Sequence, residues 1–424
     1  MPHKHAVALL AGIIAAVVGG ALLGWHGGAP VDAVAWMGTV FLNALQILVI
    51  PLVLAAVITG VTSIGDIRHF GSVGGLTVAY YLATTGLAVL IGLVMVNWIQ
   101  PGAGVGLEGA AELPEVLSGG EGTGAEAFID AILPPNLVAA AAETKLLPLI
   151  VFALAFGVAV IAVGDPARPV ADFFQGFNEV IMKLVIWLMY LAPLGILGLV
   201  AGRLGEAGGG AALARELAAV AWHVVTVLSG LALHFVALIL ILILVAGRGL
   251  SYLATMLRAV LVALGTASSS ATLPLTLEGV RENGVDPRAS RIILPLGATV
   301  NMDGTALYEA CAVLFIAQAY GLDLTLAQQG IVFVTATLAA IGAAGIPEAG
   351  LVTMVIVLKA VGLPLEGIGL LLAVDWLLDR FRTATNVWGD AVGAAVVHRF
   401  LERRGWIPAP HSEEKGHVRA SAQG

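Results

Sequence analysis

The chain has 424 residues, of which 59% are hydrophobic and only 11% are charged. Soluble domains carry about 25% charged residues, so this chain has too little polar surface for a soluble globule, and disorder and collagen-like repeats are also excluded. A net charge of −8 offers no basic stripe for nucleic acid, and the single cysteine excludes an internal disulfide and a cysteine-based metal cluster. The composition therefore indicates an integral membrane protein.

The first half of the chain contains long apolar runs without alternation. Such runs predict transmembrane helices rather than the ~10-residue alternating strands of a β-barrel. The first run has the length of a membrane span and lacks the short core and cleavage site of a signal peptide. Ordinary spans are predicted at 7–25, 34–62, 76–98, 146–163, 180–201 and 220–245.

The charged residues of the loops set the predicted orientation. Basic residues concentrate on cytoplasmic loops, and this rule places both termini in the cytoplasm with an even number of crossings between them. The segment 107–130 contains six carboxylates and no Lys or Arg, so it is predicted to lie outside. Arg203 and Arg215 fall on a loop that is also placed outside, and they are weak exceptions to the rule.

Two later segments are interrupted by small or polar residues. The segment 249–284 is split by a hydroxyl-rich run at 265–274 that ends in proline, and 339–350 contains three glycines and a proline. Breaks of this kind are tolerated only inside protein or along a watery cavity, and opposed interrupted segments are typical of the binding site of a secondary transporter. They predict one re-entrant hairpin from the cytoplasm and one from outside; an ordinary kinked helix is the alternative for each.

The span predicted at 292–320 carries acidic residues at membrane depth. An ionised Asp303 costs ~2.5–3.5 kcal/mol or more there, and Gly304 weakens the helix beside it by ~1 kcal/mol. With Asn301 and Thr305 flanking it, the break offers the hard oxygen ligands that an alkali cation prefers. A polar clamp between helices is the alternative. Glu309, two turns after Asn301, is a second buried acid and is suited to taking up a proton.

The last predicted span has a polar stripe within an arc of about 100°, which must face protein or water. Its members are Asp375, Asp379, Arg382, Thr383, Asn386 and Asp390. The Arg382 guanidinium fits a carboxylate bidentately, and Asp379 one turn earlier can hold an ammonium. Together these groups describe an acidic amino acid as the substrate, whereas a structural Asp379–Arg382 ion pair is the alternative.

These motifs resemble those of the dicarboxylate/amino-acid:cation symporters, which include archaeal aspartate transporters and mammalian excitatory amino-acid transporters. The resemblance extends from Tyr80 to Asp390. It is carried by the serine-rich tip at 268–270, the Asn-Met-Asp-Gly-Thr motif at 301–305, the Gly-Ile-Pro tip at 345–347 and the final polar helix.

The resemblance implies substrate contacts for named positions. Ser269 would hold the main-chain carboxylate, with help from the backbone around Ile346 and Gly350. Arg382 and Thr305 would hold the side-chain carboxylate. Asp379 would take the ammonium, with Thr383 and Asn386 beside it.

The resemblance also implies three sodium sites. The first would use Asp390 with carbonyls of Gly297, Asn301 and Asn386. The second would use carbonyls of Thr299, Ala340, Ile341 and Ala343, with the Met302 sulfur nearby. The third would use Tyr81, Thr84, Thr85, Asn301 and Asp303.

Two departures from the archaeal branch bear on ion coupling. The serine tip there carries an arginine, whereas this chain has Ala267 at that position and an arginine at Arg380; Glu309 stands where that branch has glutamine. Both features resemble the excitatory transporters and imply that Glu309 and Arg380 take part in proton and potassium coupling. Sodium would be the coupling ion, with a proton, a potassium counter-ion and no cofactor.

The implied architecture is an all-α integral membrane protein with eight transmembrane helices and two opposed re-entrant helical hairpins, the glutamate-transporter-homologue fold. The resemblance further implies a homotrimer whose hairpins and last spans move across a fixed scaffold, in an elevator mechanism, and the composition suits a bacterial inner membrane. The expected segments are scaffold helices 1–2 (1–75), mobile helix 3 (76–100), scaffold helices 4–6 with the acidic loop (101–247), hairpin 1 (248–285), helix 7 (286–320), hairpin 2 (321–365), helix 8 (366–405) and a disordered cytoplasmic tail (406–424).

The same residues bear on other possible functions. A membrane enzyme has little support because the serines at 268–270 lack a nucleophile-elbow motif, and a dedicated channel leaves the Asp379/Arg382 pair unexplained. A neutral amino-acid transporter or exchanger is the main alternative, and it would leave Arg382 without a partner. A dicarboxylate carrier would have no use for Asp379. Aspartate and glutamate differ by one methylene, worth only ~1–3 kcal/mol, and are not separated.

Overall fold

A computed structural model describes residues 3–26, 29–67, 72–105, 133–143, 146–206, 210–341 and 349–405. Over these ranges the chain is helical and contains no strand, as the predicted all-α class requires. The helices are α1 His3–His26, α2 Ala29–Ile67, α3 Ser72–Ile99, α4 Leu137–Ala142, α5 Leu146–Val163, α6 Arg168–Met189, α7 Ala192–Glu206, α8 Gly210–Leu244, α9 Leu250–Thr266, α10 Ser269–Glu282, α11 Pro287–Val300, α12 Asp303–Ala319, α13 Leu326–Ile341, α14 Ala349–Ala360 and α15 Ile368–Arg403. Short 3-10 turns lie at Asp165–Ala167 and Leu365–Gly367.

Several of these helices have the length and apolarity of membrane spans. Four such stretches occur within the described ranges: Pro30–Leu48, Gly75–Ile99, Arg215–Leu244 and Ile293–Ala319. The second and third coincide with the spans predicted at 76–98 and 220–245. Shorter apolar helices cover the stretches predicted at 7–25 and 146–163. The chain is thus a multi-pass helical membrane protein.

The span predicted at 180–201 is not one continuous helix. Helix α6 ends at Met189 and α7 begins at Ala192, and the two are bent by 58°. Pro193 at the start of α7 explains the bend, because proline lacks the amide hydrogen that a continuing helix would need and is tolerated only in a first turn.

The interruption predicted at 265–274 is narrower in the structure. Only Ala267 and Ser268 separate α9 from α10: Ala267 adopts a left-handed conformation with φ of 50°, and the Ser268 hydroxyl accepts from the amide of Ala271 at 3.2 Å. This N-cap restarts the helix at once, so α10 contains the remaining hydroxyls and Pro274. Helices α9 and α10 then pack against each other.

Other predicted features fall partly or wholly outside the described residues. The tip of the second interrupted segment, 342–348, is one of them, although α13 and α14 on either side of it pack together. The expected acidic external loop at 107–130 and the expected cytoplasmic tail at 406–424 are the others.

The packing places α11 and α12 at the centre of the molecule. Helix α12 contacts α3, α8, α13, α14 and α15, and α15 contacts α8, α9, α10, α11 and α12. A second group forms around α2, which packs against α5, α6 and α7, while α1 packs along α7. An apolar 18-residue window within Ile293–Ala319 is entirely buried, compared with 28% of the window within Pro30–Leu48, although Pro295 and Thr299 on α11 are exposed. The polar side chains Asp303, Thr305 and Glu309 of α12 therefore face protein rather than lipid.

Candidate functional site

The polar centre begins at the break between α11 and α12. Asn301 and Met302 leave the helix, with Met302 at φ −109° and ψ 64°. Helix α12 restarts at Asp303, where a carboxylate suits the positive end of the helix dipole. The next residue must be glycine, because a Cβ at Gly304 would lie 2.6 Å from the carbonyl oxygen of Arg382. The break thus brings α12 into backbone contact with α15.

Oxygen atoms from α3 and from the break meet at this point. The Thr85 hydroxyl donates to Asp303 Oδ1 at 2.9 Å and lies 3.4 Å from Asn301 Oδ1. The Thr84 hydroxyl lies 3.3 Å from the same amide oxygen. All four side chains are buried. The structure therefore brings together four of the five residues predicted for the third sodium site.

The fifth residue, Tyr81, lies at the edge of this cluster and joins it to Asp390. Its hydroxyl donates to the Ile293 carbonyl at 2.6 Å, and a Cβ added at Gly297 would lie 2.9 Å from that hydroxyl and would overlap the Asp390 carboxylate. Asn301 Nδ2 donates to Asp390 Oδ1 at 3.1 Å. The first and third predicted sites are therefore adjacent and share Asn301.

His234 on α8 is a member of this cluster that the sequence analysis did not identify. Its Nε2 lies 3.1 Å from Asp303 Oδ2, and both side chains are fully buried. The two residues are 69 positions apart, so no local motif links them. A usable signal was nevertheless present, since an ionisable residue inside a predicted span is a functional candidate by default.

The second predicted sodium site is described only in part. Helices α11 and α13, which carry Thr299, Ala340 and Ile341, are in contact. The Thr299 hydroxyl donates to its own helix, to the Leu296 carbonyl at 3.1 Å, which is compatible with a role for the Thr299 carbonyl alone. Ala343 lies outside the described residues. This site remains a prediction.

The Arg382 guanidinium is the centre of the predicted substrate site. It is 0% exposed, with Nη2 2.8 Å from Asp379 Oδ1 and Nη1 3.0 Å from Asp375 Oδ1. The guanidinium carbon lies 4.0 Å from the centroid of the Tyr308 ring, a cation–π distance. The pairing of Asp379 with Arg382 is the geometry of the ion-pair alternative. Asp375, for which no role was predicted, is a second anionic neighbour.

The remaining substrate residues approach this centre from three elements. Asn386 Oδ1 accepts from the Gly304 amide at 2.7 Å, and Asn386 Nδ2 donates to the Thr305 hydroxyl at 3.3 Å. The Thr383 hydroxyl donates to its own helix, to the carbonyl of Asp379 at 2.8 Å. At the start of α14, a Cβ on Gly350 would lie 2.8 Å from Arg382 Nη1.

Ser269, which was predicted to hold the main-chain carboxylate, is buried at the first position of α10. Ile346 lies outside the described residues.

The two predicted coupling residues occupy different positions. Glu309 is fully buried on α12, where its carboxyl lies beside Thr353 of α14 and forms no ion pair within the described ranges. Arg380 donates to the carbonyls of Gly265 at 2.7 Å and Leu264 at 3.2 Å, at the carboxyl end of α9. A cation there complements the negative end of the helix dipole. Arg380 thus lies beside the interruption at Ala267.

The donor set suits an alkali cation better than a transition metal. No cluster of three or more His, Cys, Asp or Glu side chains with metal-binding geometry occurs in the part of the chain that the structure describes. Carboxylate, amide, hydroxyl and carbonyl oxygens dominate instead, and hard cations prefer such ligands.

Comparison with known proteins gives a consistent result. Residues 9–400 match the sodium:dicarboxylate symporter family. Excitatory amino acid transporter 1 of Ambystoma tigrinum is 39% identical over 85% of this chain and 76% of that protein. An excitatory amino acid transporter of Caenorhabditis elegans is 39% identical over 87% and 81%, and excitatory amino acid transporter 2 of Homo sapiens is 38% identical over 86% and 73%.

These matches confirm the resemblance found in the motifs, and they exclude the enzyme alternative because the relatives are transporters. The chain belongs to the sodium:dicarboxylate symporter family.

Proposed function

We propose that the protein takes up acidic amino acids, L-glutamate or L-aspartate, by sodium-coupled symport. The observation that carries this proposal is the buried Arg382, placed between two carboxylates and an aromatic ring and one helix away from the oxygen cluster around Asp303. The names of the similar proteins, excitatory amino acid transporters at 38–39% identity, support the same substrate class.

The charges around Arg382 favour a substrate with an ammonium and two carboxylates. Arg382 carries one positive charge, whereas Asp375 and Asp379 together carry two negative charges. The three side chains therefore have a net negative charge that a substrate can compensate. A substrate ammonium at Asp379 would neutralise that excess and free one edge of the guanidinium. The side-chain carboxylate of the substrate would then pair with that edge. A dicarboxylate without an ammonium would instead be repelled by Asp379.

Sodium coupling is proposed to act through the adjacent oxygen cluster. A cation at Asp303, Thr84, Thr85 and Asn301 would compensate carboxylate charge that is otherwise costly at membrane depth. The same helix break that brings these oxygens together also lets the Gly304 amide donate to Asn386 Oδ1 at 2.7 Å. Cation binding and substrate binding would therefore stabilise the same conformation of one helix break, which is the physical basis for coupling.

Proton and potassium coupling are proposed to involve Glu309 and Arg380. Glu309 is buried without an ion-pair partner in the described part, so taking up a proton would lower the cost of its burial. Its neighbour Thr353 lies on α14, which also approaches Arg382 through Gly350. We propose that protonation of Glu309 accompanies substrate binding and that potassium returns the empty carrier.

The proposed architecture has eight transmembrane helices, two opposed re-entrant hairpins and a homotrimeric assembly in a bacterial inner membrane, with both termini cytoplasmic. In an elevator mechanism, the segments 76–100, 248–285, 286–320, 321–365 and 366–405 would move across the segments 1–75 and 101–247. The contacts of α8 with α3, α12 and α15 support one change to this division: α8 would move with the mobile segments.

A neutral amino-acid transporter or exchanger is the second candidate. The Asp379–Arg382 ion pair favours this alternative in one respect, because Asp379 already pairs with the guanidinium and no substrate carboxylate is needed. Direct competition between acidic and neutral substrates separates the two candidates.

The decisive experiment is uptake of radiolabelled L-aspartate and L-glutamate into proteoliposomes under an inward sodium gradient, with and without internal potassium. Sodium-dependent uptake is the expected result, and a further requirement for internal potassium would support counter-transport. Uptake driven by a pH gradient without sodium would contradict the cation sites. Uptake of alanine or serine without uptake of either acid would establish the neutral alternative.

A further inference from the structure

His223 on α8 is a buried ionisable residue that the proposed mechanism does not use. Its side chain is 0% exposed, and neither ring nitrogen has a hydrogen-bond partner within the described ranges. Its ring lies 4.7 Å from the Phe315 ring at 44° and 6.1 Å from the Tyr308 ring at 62°, measured between centroids. Aromatic contacts rather than polar ones therefore hold this imidazole.

The contact with Tyr308 connects His223 to the substrate site. The Arg382 guanidinium carbon lies 4.0 Å from the centroid of that same tyrosine ring. Tyr308 is thus in contact with His223 from α8 and with Arg382 from α15. A shift of this tyrosine would move the plane against which the guanidinium is stacked.

The missing hydrogen bonds indicate which property of His223 matters. A buried polar atom without a partner is unfavourable, so a side chain retained for its polarity would be expected to have one. A flat ring of this size fills the space between Phe315 and Tyr308 whether or not it carries nitrogens. A phenyl ring should therefore serve as well, and a smaller or flexible side chain should not.

We propose that His223 is a positioning residue for substrate specificity, whose ring holds Tyr308 against Arg382. The guanidinium is thereby kept ready for a substrate carboxylate, which lowers the cost of ordering it on binding. This inference rests on the proposed uptake of acidic amino acids. It assigns no proton transfer to His223.

The test compares His223→Ala, His223→Gln and His223→Phe in proteoliposomes, with Thr226→Val as the matched control. Thr226 is buried on the same helix, and its hydroxyl donates to the Trp222 carbonyl of that helix at 2.8 Å. KM and kcat for L-aspartate are measured together with the inhibition of aspartate uptake by L-alanine. Wild-type uptake is measured first, because its absence would refute the proposed function and not this inference.

We expect His223→Ala and His223→Gln to raise the KM for aspartate about tenfold, with kcat nearly unchanged and stronger inhibition by alanine. The His223→Phe variant should retain the wild-type KM for aspartate and the wild-type selectivity over alanine. In a Tyr308→Leu background, His223→Ala should have no further effect on KM, because the ring that it positions is gone.

Two outcomes would overturn the inference while leaving the proposed function intact. In the first, His223→Ala matches Thr226→Val in KM and selectivity. In the second, His223→Phe loses transport as fully as His223→Ala, which would assign the role to the ring nitrogens. Because a ring replaces a ring, His223→Phe is expected to fold, so the second comparison stands even if His223→Ala is not recovered.

Discussion

Replacing Arg382 with alanine is the most direct perturbation of the proposed substrate site. The side chain is fully buried, with carboxylate oxygens at 2.8 and 3.0 Å and an aromatic ring at 4.0 Å. Removing one partner of a buried ion pair costs ~3–5 kcal/mol, because the remaining charge loses its compensation. Arg382→Ala should therefore lower the stability of the folded protein by about that amount.

The effect on binding follows from the same geometry. A bidentate contact with a carboxylate comprises two charge-assisted hydrogen bonds, each worth ~1.5–3 kcal/mol. Their loss, about 3–6 kcal/mol together, corresponds to a rise in the KM for aspartate of roughly 150-fold to 20,000-fold. A neutral amino acid makes no such contact, so its binding should be spared or improved.

The assay separates these two effects. Thermal unfolding in detergent measures stability, and competition between labelled aspartate and unlabelled alanine measures specificity. Adding Asp375→Asn to Arg382→Ala removes one uncompensated carboxylate, so the double variant should regain stability without regaining affinity for aspartate. A KM for aspartate within threefold of the wild-type value in a folded Arg382→Ala protein would refute the assignment of this residue to the substrate.

Three further predictions concern ion coupling. Glu309→Gln should remove the pH dependence of aspartate uptake and leave sodium-driven exchange intact; luminal acidification that persists in the variant would place the proton elsewhere. Gly297→Ala should raise the sodium concentration for half-maximal uptake at least about tenfold, because its Cβ would overlap the Asp390 carboxylate. Gly330→Ala, where a Cβ meets nothing within 4 Å, is the control and should match wild type. His234→Leu should weaken the sodium dependence of uptake and His234→Gln should preserve it, because glutamine, unlike leucine, can still donate to the Asp303 carboxylate. Equal sodium dependence in the two variants would contradict this role.

The sequence was sufficient to predict the polar residues of the centre, because charge inside an apolar chain has few physical explanations. Asp303, Asp379, Arg382 and Asp390 were identified in this way, and the structure places all four within the buried core. The spans at 76–98 and 220–245 were equally accessible, since length and apolarity define a span.

What the sequence could not supply were contacts between distant elements. His234 was missed because nothing near it in the chain indicates that α8 lies against Asp303. The extent of the interruption near Ala267 was overestimated because serines were treated as helix breakers, whereas Ser268 caps the helix and α10 begins at once. The bend at Pro193 was not predicted, because the span at 180–201 rests on apolarity alone and apolarity does not reveal that proline lacks an amide hydrogen.

The hydrogen bonds that two tyrosine hydroxyls of α3 donate to distant carbonyls have a consequence for biosynthesis. Tyr80 donates to the Gly389 carbonyl at 2.8 Å across 309 residues, and Tyr81 donates to the Ile293 carbonyl across 212. The first pairing cannot form on a ribosome until nearly the whole polypeptide has been synthesised, the second must wait for α11, and long-range closure is slow. Until these acceptors have been synthesised, the Tyr80 and Tyr81 hydroxyls of α3 lack the carbonyls to which they donate in the folded protein. The substrate site is then among the last parts of the molecule to assemble, because a nascent chain stalled before α15 lacks Asp379, Arg382 and Asp390 and would be unable to hold the substrate.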